Sequence, residues 1–376
     1  MLFTVCRTAC WLLLFHFFSP ICIAALPYPD TSQAPVRGVW LTNVGSQVLY
    51  SRAGIEAAVD RCARSGINHI FVVMWNKGRT LYPSRLMEQT FGLPIDEKLT
   101  GRDPLRELLD AARPHHIRVY AWFEYGFAAE NRGLGEHILR TKPNWAARNT
   151  QGEVLVKNGF RWMNGFDSEV QAFMLGLLSE VVQQYPDLTG IQGDDRLPAM
   201  PVESGYNPGI VAAYRAEHHG MAPPANPRDT AWVSWRANRM NAFMKQLRTT
   251  LKRVRPSVQI AMAPSIYPFS KTDYLQDWPT WVRNGWVDLV CPQIYRYDIA
   301  LYRKELGRIL REQVPASEHH RLAPGLLVRL EGRTFSDDFL RQMIETNRAN
   351  GVAGELFFYY EGLPEHPAFF DWYRTQ

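Results

Sequence analysis

The stretch "LTGIQGDDRLP", residues 188–198, decides how this chain reads. Its first half is a short apolar run of strand type. Its second half sets two carboxylates, Asp194 and Asp195, side by side where that run ends. Burying charge at a strand end is expensive unless the charge is paired or used. Such a pair makes sense where the fold delivers a strand end to an open site.

The rest of the chain repeats this pattern. Strand candidates lie at residues 37–43, 69–76, 117–127, 188–195, 258–267, 287–295, 321–330 and 353–362. Most are near-continuous apolar runs, as expected for parallel strands covered on both faces. Helical patterns alternate with them. Residues 51–66 are bounded by Ser51 and Gly66, and residues 103–116 begin on Asp103 and Pro104, all good cap residues. Residues 168–184, 208–219, 232–254, 273–284, 299–313 and 336–350 continue the series. Eight strand–helix units predict an α/β fold of the (β/α)8 TIM-barrel type. A doubly wound open sheet is the alternative, but it normally carries a glycine-rich phosphate loop after an early strand. None is present. Two connections, 128–167 and 196–207, are long enough to be expected to carry function.

In such a barrel the site forms at the C-terminal ends of the strands. Side-chain alternation sets Gln192 and Asp194 on one face of strand four and Ile191 on the other, so Gln192 and Asp194 are expected to face the mouth. Glu124 follows Trp122 on the corresponding face of strand three. Asn76 ends strand two, and Tyr267 ends strand five. Gln293, Tyr295 and Arg296 end strand six, and Tyr360 and Glu361 end strand eight. Trp162, within "RWMNGFD" (161–167), is expected as a cleft wall or as a buried anchor of the long connection.

These residues predict a cup with Asp194, Asp195, Glu124 and Glu361 as its catalytic carboxylates. Asn76, Trp122, Trp162, Gln192, Tyr267, Gln293, Tyr295, Arg296 and Tyr360 are the expected substrate contacts. Glycosidic cleavage needs one protonated and one ionised carboxyl flanking the bond. Crowding carboxylates separates their proton affinities and supplies both states. Aromatic faces and amides position sugar rings. Asp194 is expected as nucleophile or base, Glu124 and Glu361 compete as the acid, and Asp195 orients a partner or a hydroxyl. The structural alternative pairs the aspartates with Arg196 in a turn. No G-x-S-x-G elbow follows a strand, and no His or Cys spacing suits a metal. No metal and no cofactor are expected.

Composition bounds the remaining classes. The 376 residues are 46% apolar and 21% charged, an ordinary globular balance with ample core. The net charge of +5 is dispersed without a basic run, so nucleic acid is not an expected partner. At the N-terminus Arg7, an apolar run over 11–18 and the small residues Ala24 and Ala25 predict a secretory signal over residues 1–25. The run is too short and too interrupted to span a bilayer. A retained anchor is the alternative. The expectation is then a single barrel domain over 26–376, exported to the periplasm or beyond, not inserted in the membrane after cleavage, with a polysaccharide as partner. The oligomeric state is not readable. Cys6, Cys10 and Cys22 fall in the signal. Cys62 and Cys291 are expected to be buried free thiols.

Five segments carry a family resemblance: "RGVWLTN", "VYAWFEYGF", "LTGIQGDDRLP", "VDLVCPQIYRYD" and "FFYYEGL", in that order. Together, over about residues 36–363, they resemble the glycosyl-hydrolase-like 10 family, formerly a domain of unknown function. The resemblance implies a (β/α)8 barrel, exported or lipid-anchored in bacteria. In one branch it implies cleavage of peptidoglycan glycan strands stripped of their stem peptides. It places the family's paired aspartates on Asp194 and Asp195 and its strand-three glutamate on Glu124. Its Gln–Tyr pair falls on Gln293 and Tyr295, and its strand-eight pair on Tyr360 and Glu361. The chain departs from it at Arg196, where many relatives carry an aromatic residue or His, and at Gly193, where a larger residue is frequent. An exported glycoside hydrolase is therefore the leading expectation. A glycan-binding barrel without turnover, or a hydrolase of another extracellular polysaccharide, is the alternative.

Overall fold

In the computed structural model, which describes residues 34–330, 332–333 and 335–376, eight strands run parallel. They are β1 (Val36–Leu41), β2 (His69–Val73), β3 (Arg118–Phe123), β4 (Gly190–Gly193), β5 (Gln259–Met262), β6 (Leu289–Val290), β7 (Gly325–Leu327) and β8 (Gly354–Phe358). Each pairs with its neighbours in sequence, and β8 pairs with β1. Parallel bridges from Val290 to Leu322 and from Gln293 to Gly325 join β6 to β7 and close the ring. The (β/α)8 expectation holds. The expected export signal, with Cys6, Cys10 and Cys22, lies outside the described residues.

The helices form because their signals are strong. α1 (Arg52–Arg64) starts on Ser51, whose hydroxyl accepts from Gly54 N at 3.0 Å. α2 (Pro104–Ala112) starts on Asp103, which accepts from Arg106 N at 3.0 Å. α3 (Ser168–Gln184) starts on Asp167, which accepts from Glu169 N at 2.8 Å. Each cap satisfies an N–H that the helix itself cannot. α4 (Thr230–Val254), α5 (Trp278–Arg283), α6 (Ile299–Arg308) and α7 (Asp337–Ala349) continue the ring.

The eighth helix, α8 (Pro367–Tyr373), was not expected. It lies past the last strand and sets Phe369, Phe370 and Tyr373 against the outer ring of Phe357. The expected helix at 208–219 is an additional one, Pro208–Glu217, inside the fourth unit. The expected helix at 273–284 is two short helices, Phe269–Tyr274 and α5, interrupted at Leu275, whose φ of 54° lies in the left-handed region. The connection 128–167 carries its own antiparallel sheet of Ala128–Asn131, Val156–Lys157 and Phe160–Trp162.

Inside the barrel runs an aromatic column. His69 stacks on Tyr120 at 6.0 Å and Phe71 stacks on Tyr120 at 4.6 Å. Above them Trp40 lies 6.3 Å from Trp122 and 5.9 Å from Phe358. Burial holds His69 neutral by pushing its pKa down to about 3. The column packs inside the barrel, and Trp40, Trp122 and Phe358 at its top face an open cup at the C-terminal mouth. Cys62 and Cys291 are buried and free, and burial lifts the Cys62 thiol to about 12. Among the described residues no helix is long and apolar enough to cross a membrane.

Candidate active site

Strand β4 delivers its side chains as alternation requires. Gln192 is enclosed and accepts the Trp40 indole N–H at 2.7 Å. Two residues on, Asp194 is 4% exposed. Its Oδ1 accepts from Asp195 N at 2.8 Å and from Gln293 Nε2 at 2.7 Å. The same Gln293 amide donates to Ala263 O at 3.0 Å, which fixes its direction. Between them Gly193 allows the chain to fold back, since a Cβ there would stand 2.6 Å from Leu197 O. Strand β3 leads into Glu124, and Asn76 Nδ2 donates to its Oε2.

Trp40, Trp122, Glu124, Asp194, Asp195, Arg196, Gln293, Tyr295 and Phe358 line a cup of about 170 Å³. It is small, and it has the mixture of aromatic wall and few polar groups that is usual in ligand sites. Trp122 Nε1 is enclosed and has no partner among the described residues, so it is a donor available inside the cup.

Arg196 sits among the carboxylates. Its Nη1 is 3.2 Å from Asp195 Oδ1; its Nη2 is 3.7 Å from Asp194 Oδ2 and 3.8 Å from Glu124 Oε1. Three carboxyl groups and one guanidinium cannot all be ionised in an enclosed site without strong repulsion. Burial, reinforced by Asp195, raises Asp194 well above the usual carboxylate range. Burial also raises Glu124, with Arg196 and Asn76 pulling it back. Both groups therefore hold a proton more readily than an exposed carboxyl does, Asp194 the more strongly. Its Oδ1 is occupied as an acceptor, which leaves Oδ2 as the oxygen without a hydrogen-bond donor. Burial, with Asp194 next, holds the Tyr295 phenol firmly protonated.

The structure brings together Asp194, Asp195, Glu124, Trp122, Gln293 and Tyr295, with Asn76 and Gln192 supporting them from behind. It does not bring in the rest. Strand β8 ends at Phe358, and a 3₁₀ turn, Tyr360–Glu365, takes over. The inward face of β8 ends in Phe358, so Glu361 stands outside the lining and its carbonyl accepts from Arg329. Tyr360 turns toward Arg61 and Cys62 of α1. Trp162 is 1% exposed and packs 6.0 Å from Tyr274, so it anchors the connection rather than walling the cup. Arg296 turns away to Glu305 at 2.9 Å. Tyr267 also lies outside the lining, and its carbonyl accepts from Gln313. Three lining residues were not expected as contacts: Trp40, Phe358 and Arg196. The first two carry no polar signal. Arg196 was legible only as the partner of a turn.

This geometry agrees with what the chain is similar to. The family model described as Glycosyl hydrolase-like 10 matches residues 35–329, and the chain belongs to that family. It is 25% identical over 327 residues to "Glycosyl hydrolase DigH" of Escherichia coli (strain K12), covering 71% of this chain and 69% of that one. It is 23% identical over 312 residues to "Glycosyl hydrolase YngK" of Bacillus subtilis (strain 168), covering 73% and 57%. Among solved structures, the PgaB (BpsB) glycoside hydrolase domain from Bordetella bronchiseptica superposes with a TM-score of 0.63 at 14% identity, over 89% of this chain and 97% of that one. Gan42B, a GH42 β-galactosidase from G. stearothermophilus, does so with 0.60 at 11% identity, over 86% and 50%. These two likenesses establish the barrel.

Proposed function

We propose that this family member is an exported glycoside hydrolase that cleaves glycosidic bonds of a bacterial envelope polysaccharide, with peptide-free peptidoglycan glycan strands as the first substrate to test. The observation that carries the reading is the enclosed pair of Asp194 and Glu124, of unequal proton affinity, in one aromatic-walled cup. Cleavage within a glycan needs that inequality.

Asp194 acts as general acid. Its Oδ2 proton passes to the bridging oxygen, the bond from the anomeric carbon to that oxygen breaks, and the bonding pair leaves with the oxygen. This reverses the role expected for Asp194 from the sequence, because its burial makes it the proton carrier. Glu124, oriented by Asn76, completes the displacement as nucleophile or as base for the attacking water. The anomer released first distinguishes the two. Trp122 Nε1 and the Tyr295 hydroxyl donate to sugar oxygens, and the faces of Trp40 and Phe358 pack on the ring.

Incubating the full chain with purified glycan strands, intact and peptide-free, and weighing the products by mass spectrometry tests the proposal. Shortened peptide-free strands are the expected result. Retained binding with no new chain ends would make the protein a glycan-binding barrel. The export component is checked by the N-terminal residue of the mature protein, expected close to Ala25 or Leu26, in a fraction outside the cytoplasm.

A further inference from the structure

Arg196 is the one basic side chain among the residues that line the cup. It lines the cup and touches every carboxyl group in it, yet the acid–base pair assigns it no role. Its guanidinium is held from four directions. Nε donates to Glu124 O at 3.1 Å. The rings of Phe160 and Tyr125 lie 5.0 and 5.5 Å from its centre. Its terminal nitrogens face Asp194, Asp195 and Glu124. The backbone is fixed as well. Phe127 N donates to Arg196 O at 3.0 Å, and Gly126, at φ 50°, leaves room for that carbonyl where any Cβ would collide with it. The side chain is only 17% exposed. A long side chain held this firmly, in a cup with one cation and three acids, is unlike a surface ion pair, which contributes little.

We propose that Arg196 is a positioning residue that acts through the carboxyl groups. It favours the ionised form of Glu124 while Asp194 keeps its proton, and so sets the pH range in which the acid–base pair is correctly divided. The inference rests on the hydrolase reading for its effect on rate, but the distribution of protons can be measured without a substrate. An opposite charge within 4–6 Å lowers a carboxyl pKa by about 1–3 units. Arg196 pulls both Asp194 and Glu124 downward. The other groups facing this cluster are Lys77, which also lowers Glu124, and the phenols of Tyr125, Tyr274 and Tyr295, all raised by burial and neutral. The phenols carry no charge to replace the guanidinium, and Lys77 acts on Glu124 more weakly than Arg196 does.

The signs follow. The acid limb of the activity profile reports the group that must be ionised, and the basic limb the group that must be protonated. Without the guanidinium both take up protons more readily, so the whole profile moves to higher pH. Arg196→Gln keeps a donor for the Glu124 carbonyl without the charge, and Arg196→Met removes both. In full-length protein labelled at Asp and Glu carboxyl carbons, ¹³C NMR titration of either variant is expected to show cup carboxyls titrating about 1 unit or more higher. The pH profile of kcat/KM on peptide-free glycan strands should move by the same amount. Arg196→Lys should bring both readouts back toward wild type.

Cup titrations unmoved in a folded Gln or Met variant would overturn the proposal. So would a Lys variant as displaced as the Gln variant, since shape and not charge would then be responsible. A wild-type protein that turns over no glycan would end the hydrolase reading, while the NMR titration would still decide the role of Arg196.

Discussion

Two buried carboxyl groups in this molecule share one property and differ in everything else. Asp194 stands at the C-terminal mouth of the barrel. Glu355 stands near the start of β8, under α7 and α8, and is 1% exposed. Burial raises the proton affinity of both. Glu355 is sealed by partners: Tyr373 donates to Oε1, Asn347 Nδ2 donates to Oε2 at 3.2 Å, and Arg348 lies 4.0 Å away. Asp194 opens onto a cup that contains a second carboxyl group, an available indole donor and aromatic walls. A raised pKa therefore does not identify a site by itself. The distinguishing features are the open volume and a second acid facing the same space, and these separate a reactive carboxyl from a structural one.

Substitutions at the two sites should have opposite consequences. The largest effect is expected at Glu124. Glu124→Gln keeps the bond to Asn76 and removes the charge, so turnover on glycan strands should fall about 10²–10⁴-fold with little change in melting temperature. Glu355→Ala should do the opposite. It leaves Tyr373 and Asn347 with a lost acceptor, so urea unfolding should show a loss of about 1–3 kcal/mol while kcat of the folded protein is unchanged.

The pH dependence gives a finer test. A carboxyl whose folded pKa is raised contributes its stability fully below the ordinary carboxyl range, and loses it as pH rises through the raised value. Asp194 therefore makes the wild-type melting temperature fall as pH rises above the ordinary carboxyl range. Asp194→Asn should flatten that fall and melt about 2–4 °C higher than wild type at neutral pH, by scanning calorimetry. The smallest effect belongs to Glu361→Gln. Lying outside the cup, it should change kcat/KM by less than about twofold, within the range of substitutions away from special features.

The residues show which physical signals a sequence carries. Apolar runs covered on both faces, with Ser51 and Asp103 as caps, made the barrel readable. Alternation set Trp122, Glu124 and Asp194 at the cup, with Gln192 on the same face but enclosed behind them, because β3 and β4 run regularly to their ends. It failed at strand eight, where "FFYYEG" is apolar and continuous while the chain leaves the sheet after Phe358. Nothing in the composition marks that departure, so Tyr360 and Glu361 were read onto the wrong side. Trp40 and Phe358 look like any core aromatic, and only closure of the ring shows that the column they top ends in open space. Arg196 is defined by residues far away in sequence. Phe160, one of its two flanking rings, comes from a small sheet inside a connection that reads as irregular.

In the proposed reaction Asp194 carries the proton delivered to the glycosidic oxygen. The decisive comparison is of wild type and Asp194→Asn, at equal folded concentration, on one glycan whose cleavage by the wild type has been established by product mass, with binding measured in parallel. The variant should bind the glycan within a few-fold of wild type and lose at least about 10²-fold in turnover. Turnover should return most strongly on a substrate whose leaving group needs no protonation, such as an aryl glycoside with an acidic phenol. Wild-type turnover by Asp194→Asn on the native glycan would contradict this assignment, and would leave the aspartate pair as a structural turn held by Arg196.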